Sequence, residues 1–216
     1  MIFSIHVSGL GGQGVLTLTG LFAEYTRSEG LPTTLFNSKG MAQRGGRVTS
    51  DIRFIADEAG STGKAAAGAD AGDSTNFGPR IGDKNADILV GLEIGEALNS
   101  LPLSKPGGIV LLYSHRSVPA NIVPDKHGRY PNIGEVGDYF SAAGARVFTV
   151  PESDTSANIY ILGVLAAVLP AAGTSFRGDP MELQSLLRTR LKRGIETNLE
   201  ALNKGYEYGQ ELADRS

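Results

Sequence analysis

The sequence predicts a doubly wound, mostly parallel α/β sheet of the Rossmann-like kind with an added C-terminal helix. Three observations predict it. Strand-like apolar runs alternate with helix-like runs along the chain. Two of the strand-like runs, Ile88-Leu89-Val90 and Ile109-Val110-Leu111-Leu112, are continuously apolar, as central strands covered on both faces must be. A glycine turn, Ser8-Gly9-Leu10-Gly11-Gly12-Gln13-Gly14, joins the first strand to the first helix with Gly-x-Gly-x-x-Gly spacing. The 216 residues suit one domain, 1–216, large enough to bury a substantial core.

The elements follow in order. Ile2–Val7 reads as a buried strand. Val15–Glu29 reads as a helix closed near Gly30, with Pro32 just beyond. Thr33–Phe36 is a short second strand, completing a strand–helix–strand unit that starts a parallel sheet. Val48, Ser50, Ile52 and Phe54 alternate with Thr49, Asp51 and Arg53, a strand with one polar face. A helix over Ile94–Ser100 separates the two central runs, and Arg146–Val150 is a further strand. Ser156–Leu169 reads as an apolar helix. One long helix is expected from about Pro180 to Leu212, with Leu187, Leu191, Ile195, Leu199 and Leu202 on one stripe. After the strand around 48–54, the stretch 57–83 is rich in Gly, Ala, Asp and Ser and reads as a flexible insertion, since neither flank looks complete alone.

Composition narrows the function. A formal charge of −3 gives no electrostatic footprint for nucleic acid or an anionic membrane. The absence of cysteine excludes an iron–sulfur cluster, a thiolate zinc site and a disulfide on this chain. His6, His115 and His127 carry no ligand spacing, so no metal site is expected. Met1–Val7 lacks the basic start and long apolar stretch of a signal peptide, and the apolar run Ile159–Leu169 stops at Pro170, short of a membrane span. The expectation is a cytoplasmic protein.

The turn suits an anion, because glycine lets the backbone approach closely and the helix start presents free N–H groups. Which anion is decided elsewhere. A nicotinamide dinucleotide site calls for an acid at the end of the second strand, and Leu35-Phe36-Asn37-Ser38-Lys39 offers none. Lys39 leaves NADP open through its 2′-phosphate. A P-loop is excluded, since no Gly-Lys-Ser/Thr closes the turn. A second segment, Gly40-Met41-Ala42-Gln43-Arg44-Gly45-Gly46-Arg47, pairs arginine forks with flexible backbone, a combination suited to phosphate or carboxylate. The plainer alternative is a glycine-rich connection with solvated arginines. Sheet geometry favours a role in binding, because this loop can lie beside Gly9–Gly14 at the carboxyl edge.

Together, Gly9-Leu10-Gly11-Gly12-Gln13-Gly14-Val15 and Gly40-Met41-Ala42-Gln43-Arg44-Gly45-Gly46 resemble the gamma-type subunit or domain of 2-oxoacid:ferredoxin oxidoreductases, most closely the indolepyruvate type. The likeness continues through Ala86-Asp87-Ile88-Leu89, Glu93, Glu96-Ala97-Leu98, Pro106-Gly107-Gly108, Asn158, Leu162-Gly163, Asn198, Ala201-Leu202 and Gly205-Tyr206. It implies oxidative decarboxylation of an aryl-type 2-oxoacid to an acyl-CoA, with electrons passed to ferredoxin. It implies too that thiamine diphosphate and the iron–sulfur clusters sit on a larger partner subunit, and that this chain is inactive alone. Coenzyme A would then be the anion, carried over to Gly11, Gly12, Gln13, Gly14, Gln43, Arg44, Gly45 and Gly46, with no catalytic residue on this chain. Its role would be to bring the CoA thiol to the partner's reaction centre by proximity.

Two features depart from that pattern. Indolepyruvate-type sequences tend to place a histidine just before Gly-Met, where this chain has Asn37-Ser38-Lys39, and the excursion after Asp57 is longer than usual. Of the other candidates, Glu93 and Glu96 are expected to complement a helix dipole, not to transfer protons. Ser114-His115-Arg116 reads as a loop at the ligand edge, and Asn158 as either a cap or a residue of the site rim. Two rivals stand beside the subunit reading: a stand-alone NADP-dependent reductase, and a purely structural subunit.

Overall fold

The computed structural model describes residues 1–40, 45–57, 77–115 and 130–215. Met41 to Arg44, most of the 57–83 excursion, Arg116 and His127 lie outside the described residues.

Six strands form one sheet in the order β2-β3-β1-β4-β5-β6, with β1 Ile2–Leu10, β2 Thr33–Lys39, β3 Arg47–Ile55, β4 Ala86–Gly91, β5 Ser104–Tyr113 and β6 Arg146–Val150. The pairs β1–β4, β4–β5 and β5–β6 are parallel, whereas β3 runs antiparallel to both β1 and β2. The mostly parallel α/β fold is therefore observed, with one correction. β2 runs in the direction of β1 but does not pair with it, because β3 lies between them. The connection from β2 to β3 is short enough for a hairpin-like return, so β3 comes back antiparallel and takes the place beside β1.

Strand alternation sorts the side chains onto two faces. One face carries Phe3, Ile5 and Val7 of β1, Ile52 and Phe54 of β3 and Ile88 and Val90 of β4. It packs beneath α1 Val15–Ser28, α4 Ala157–Val168, α5 Pro180–Arg190 and α6 Ile195–Asp214. The other face carries Leu89, Val110 and Leu112 under α2 Ile94–Asn99 and α3 Ile133–Ala142. Each fully buried large aliphatic or aromatic side chain contributes about 1.5–3 kcal/mol, so the larger cluster dominates stability. At β1 and β3 the second face is polar instead. Buried His6 meets Asp51 at 2.7 Å through Nδ1 and Ser100 Oγ at 3.0 Å through Nε2.

Helix α4 is buried on all sides, as a run apolar all round requires. Helix α6 lies directly on it because Gly205 and Gly209 leave room for the backbone; a Cβ on Gly205 would overlap the Tyr160 carbonyl oxygen. The single long C-terminal helix expected from sequence is two helices. The leucine stripe continues in register, yet Leu191 is extended (φ −92°, ψ 131°) and Gly194 is left-handed at φ 62°, so the chain turns between α5 and α6. Helix α3 was not expected. Its signature is legible in Asn132 and Glu135, which form a reciprocal capping box. Among the described residues no helix is long and apolar enough to cross a membrane.

Candidate functional site

The site lies at the carboxyl edge of the sheet, where β1 ends and α1 begins. The turn is built from its own residues. Gln13 Oε1 accepts from Leu10 N at 2.8 Å, Gln13 N–H donates to the Leu10 carbonyl at 3.1 Å, and Gln13 Nε2 donates to the Leu92 carbonyl at 3.3 Å. The Gln13 amide thus ties the turn to the end of β4. Gly14 takes the left-handed conformation at φ 79°, and a Cβ there would lie 2.5 Å from Asn158 Nδ2. Asn158 belongs to the first turn of α4, whose N-cap is Ser156, so it forms part of the wall behind Gly14 and is not the cap.

Helix α1 starts without a side-chain cap and without an acid in its first turn. Its first intrahelical donor is Leu18, bonded to the Gly14 carbonyl, so Val15, Leu16 and Thr17 present N–H groups at the helix's positive end. They open into a cavity of about 670 Å³, lined by Gly11, Gly12, Gly14, Thr17, Lys39 and Val48 among others.

The two sequence segments meet here. Gly11 N–H donates to the Gly46 carbonyl at 2.8 Å, and the Gly11 α-carbon faces the Gly45 and Gly46 backbone, which a Cβ there would touch at 3.5–3.9 Å. The antiparallel course of β3 produces this contact, since Leu10 pairs with Arg47. Of the expected site residues, Gly11, Gly12, Gln13, Gly14, Gly45 and Gly46 are together; Gln43 and Arg44 lie outside the described residues. Arg47, at the same edge, pairs with Glu96 at 3.2 Å. Lys39, set aside in sequence as relevant only to NADP, is the one charged side chain lining this cavity among the described residues.

The other candidates take structural places. Glu93 is fully buried and caps α2: its Oε2 accepts from Glu96 N at 2.9 Å and its Oε1 accepts from the Tyr130 hydroxyl. Burial, and then the Glu93 carboxylate, hold the Tyr130 phenol well above its ordinary range. His115 Nδ1 pairs with Glu152 at 2.6 Å, both exposed, at the ends of β5 and β6. Among the described residues no group of His, Asp and Glu is placed to hold a metal ion.

In sequence and in fold the chain is similar to known proteins. Residues 4–208 match the sequence family described as pyruvate ferredoxin/flavodoxin oxidoreductase. Two similar curated relatives are indolepyruvate oxidoreductase subunits IorB. The one from Methanothermobacter thermautotrophicus is 29% identical over 95% of this chain and 97% of its own length. The one from Archaeoglobus fulgidus is 26% identical over 95% and 94%. Among solved structures, the pyruvate oxidoreductase subunit PORC of Thermotoga maritima superposes with TM-score 0.63 at 18% identity, covering 95% of this chain and 96% of that one. The 2-oxoglutarate:ferredoxin oxidoreductase of Magnetococcus marinus, solved with coenzyme A and succinyl-CoA bound, superposes at 0.62 and 17% identity over 98% of this chain and 31% of that one. At such identities the structures show a shared fold, while the sequence match spans nearly the whole chain. With its glycine turn, its antiparallel third strand and that match in place, the chain belongs to the pyruvate ferredoxin/flavodoxin oxidoreductase family.

Proposed function

We propose that this chain is the small, cluster-free subunit of an indolepyruvate-type 2-oxoacid:ferredoxin oxidoreductase. In that reading its glycine turn holds the diphosphate of coenzyme A. The overall reaction takes an aryl-type 2-oxoacid and CoA–SH to an acyl-CoA and carbon dioxide, with the electron pair released passing to ferredoxin and the thiol proton to solvent. Thiamine diphosphate and iron–sulfur clusters on the larger partner supply the carbon–carbon cleavage and the electron path. The chain itself has no cysteine with which to ligate a cluster.

One observation carries the reading. The Gly11–Gly46 hydrogen bond of 2.8 Å joins the two glycine segments beside a helix start that has no internal acceptor. The N–H groups of Val15, Leu16 and Thr17 take the diphosphate oxygens, and the open backbone at Gly12 lets the ligand approach. Arg44, next to Gly45 in sequence, would add a positive charge. The subunit's contribution is placement: it fixes the coenzyme so that its thiol reaches the partner's centre, and no proton transfer is asked of this chain.

The test is calorimetric titration of the full chain with CoA, comparing wild type with Arg44→Ala. Loss of a charge-assisted phosphate contact weakens binding by about 1.5–3 kcal/mol, or roughly ten- to hundredfold. Equal binding by both removes Arg44 from the site. Viologen reduction with indolepyruvate and CoA is expected only when the chain is recombined with its thiamine- and cluster-bearing partner. NADPH turnover by the isolated chain would establish the reductase instead.

A further inference from the structure

A second cavity, of about 360 Å³, opens at the same edge on the opposite face of the sheet. Phe36, Ser38, Thr49 and Arg80 wall it, over a floor formed by His6 and Asp51. The Asp51 carboxylate is already engaged: Oδ1 with His6 Nδ1 at 2.7 Å, and Oδ2 with the Ile81 N–H at 3.1 Å. The Arg80 guanidinium lies over the Phe36 ring at 4.5 Å. Of the described charged residues lining the cavity, Lys39, Arg47 and Arg80 are cationic and Asp51 is the one carboxylate.

Lys39 and Gly40 line both cavities. Lys39 ends β2 opposite Val48 of β3, and its side chain is exposed. Among the described residues no carboxylate pairs with it, in contrast to Arg47, which is held by Glu96 at 3.2 Å. A diphosphate on the turn is served by backbone N–H groups and needs no lysine. An unpaired ammonium on the ridge between two cavities is placed for a further anionic group, one carried beyond the diphosphate. Lysine suits that task as a point charge, able to meet a phosphate monoester bearing about −1.5 to −2 charge without fixed angular demands.

We infer that Lys39 is the specificity-determining residue of the coenzyme site, reading the phosphate monoester on the ribose. It thereby distinguishes coenzyme A, which carries a 3′-phosphate, from its dephospho form. The inference rests on the coenzyme reading of the glycine turn given above.

The experiment titrates the full chain with CoA and with dephospho-CoA at low salt, for wild type, Lys39→Ala and Lys39→Arg. Wild type should prefer CoA by about five- to tenfold, the range for a partly exposed charge-assisted contact. Lys39→Ala should abolish the preference by losing affinity for CoA alone, leaving dephospho-CoA unchanged, and Lys39→Arg should restore it. Raising the salt to screen the contact should shrink the wild-type preference. Because the side chain is exposed, the melting curves of the variants should overlay that of wild type. Retention of the preference in Lys39→Ala overturns the role of Lys39 and leaves the coenzyme reading standing. Failure of wild type to bind either nucleotide overturns the coenzyme reading and this inference with it. Tighter binding of NADP than of CoA, lost in Lys39→Ala, assigns the lysine to a 2′-phosphate and overturns the inference as well.

Discussion

Gly14→Ala reports on the construction of the site through stability, independently of any ligand. Gly14 sits at φ 79°, where a Cβ costs about 1–2 kcal/mol. That Cβ would also lie 2.5 Å from Asn158 Nδ2, 2.7 Å from its Cγ and 3.0 Å from its Cβ. The amide is the far end of a side chain and can swing aside, at an off-rotamer cost of about 0.5–1.5 kcal/mol. The single variant should therefore lose about 2 kcal/mol. Asn158→Ala, which breaks no hydrogen bond among the described residues, should lose about 0.5 kcal/mol. The double variant keeps the backbone strain but has no amide to displace, so it should recover about 1 kcal/mol against the sum of the singles. Gly12→Ala is the control: its φ is 103° and a Cβ there meets nothing within 4 Å, so it carries strain without contact. Guanidinium unfolding of the full chain, followed by far-ultraviolet circular dichroism, measures all four. Strict additivity of Gly14→Ala and Asn158→Ala would refute the packing of the turn against α4. A loss under about 0.5 kcal/mol for Gly14→Ala would refute the need for a left-handed residue there.

Two further outcomes follow from the packing. Gly205→Ala pushes a methyl into the carbonyl oxygen of Tyr160, which belongs to the backbone of a helix buried on all sides. It should lose about 3 kcal/mol and about 6–12 °C in melting temperature. Gly20→Ala on α1, where a Cβ meets nothing within 4 Å, should be neutral or stabilising, and equal losses for the two would count against the α4–α6 contact. The second outcome concerns pH. Burial pushes the Tyr25 hydroxyl up from 10.0 to about 12, even though it accepts from Asp179 N at 2.7 Å. An unfolded chain releases this proton near pH 10.0 and the folded chain keeps it until about 12, so stability falls as pH rises through that window. The slope attributable to Tyr25 is at most about 1.4 kcal/mol per pH unit. Tyr25→Phe should start less stable at neutral pH, having lost the Asp179 bond, but show a shallower fall above pH 10. An unchanged slope in alkaline urea titrations rules Tyr25 out as its source.

Much of the fold was legible because hydrophobic pattern and element type are locally encoded. Arg146–Val150 is a strand over its full expected length, and the two continuously apolar runs are central strands with helices on both faces. Strand neighbours are not locally encoded. The alternation in 48–54 identifies a strand with one polar face but carries no information on its direction or its place in the sheet. In sequence the first strand ends at Val7, since Ser8-Gly9-Leu10 resembles a loop, yet pairing of Leu10 with Arg47 extends it to the turn. The break before α6 was hidden for a different reason: the leucine spacing stays in phase across a turn that a single left-handed glycine, Gly194, makes. At the site, the meeting of the two glycine segments was anticipated. The engagement of Gln13 in holding the turn was not, since an amide beside a phosphate-type turn reads equally well as ligand contact or as strut.

The inserted strand changes what the missing acid means. In a Rossmann arrangement the strand after the first helix lies beside the first strand, and its terminal residue reaches the ribose. Here β3 occupies that place and runs the other way, so the start of a strand and the loop before it meet the turn. The lack of an acid in 35–39 therefore concerns a strand one position removed from β1. The residue now paired with the last residue of β1 is Arg47, a cation steadied by Glu96 at 3.2 Å. Of the two places from which a carboxylate would accept ribose hydroxyls, the end of β2 carries Lys39 and the start of β3 carries Arg47, whose charge Glu96 offsets. Free backbone N–H groups beside the Lys39 ammonium suit phosphate, in keeping with the coenzyme reading proposed above. The proposal of a phosphate-bearing coenzyme in preference to NAD therefore rests on the lack of a carboxylate at both positions and on the Lys39 ammonium beside the turn.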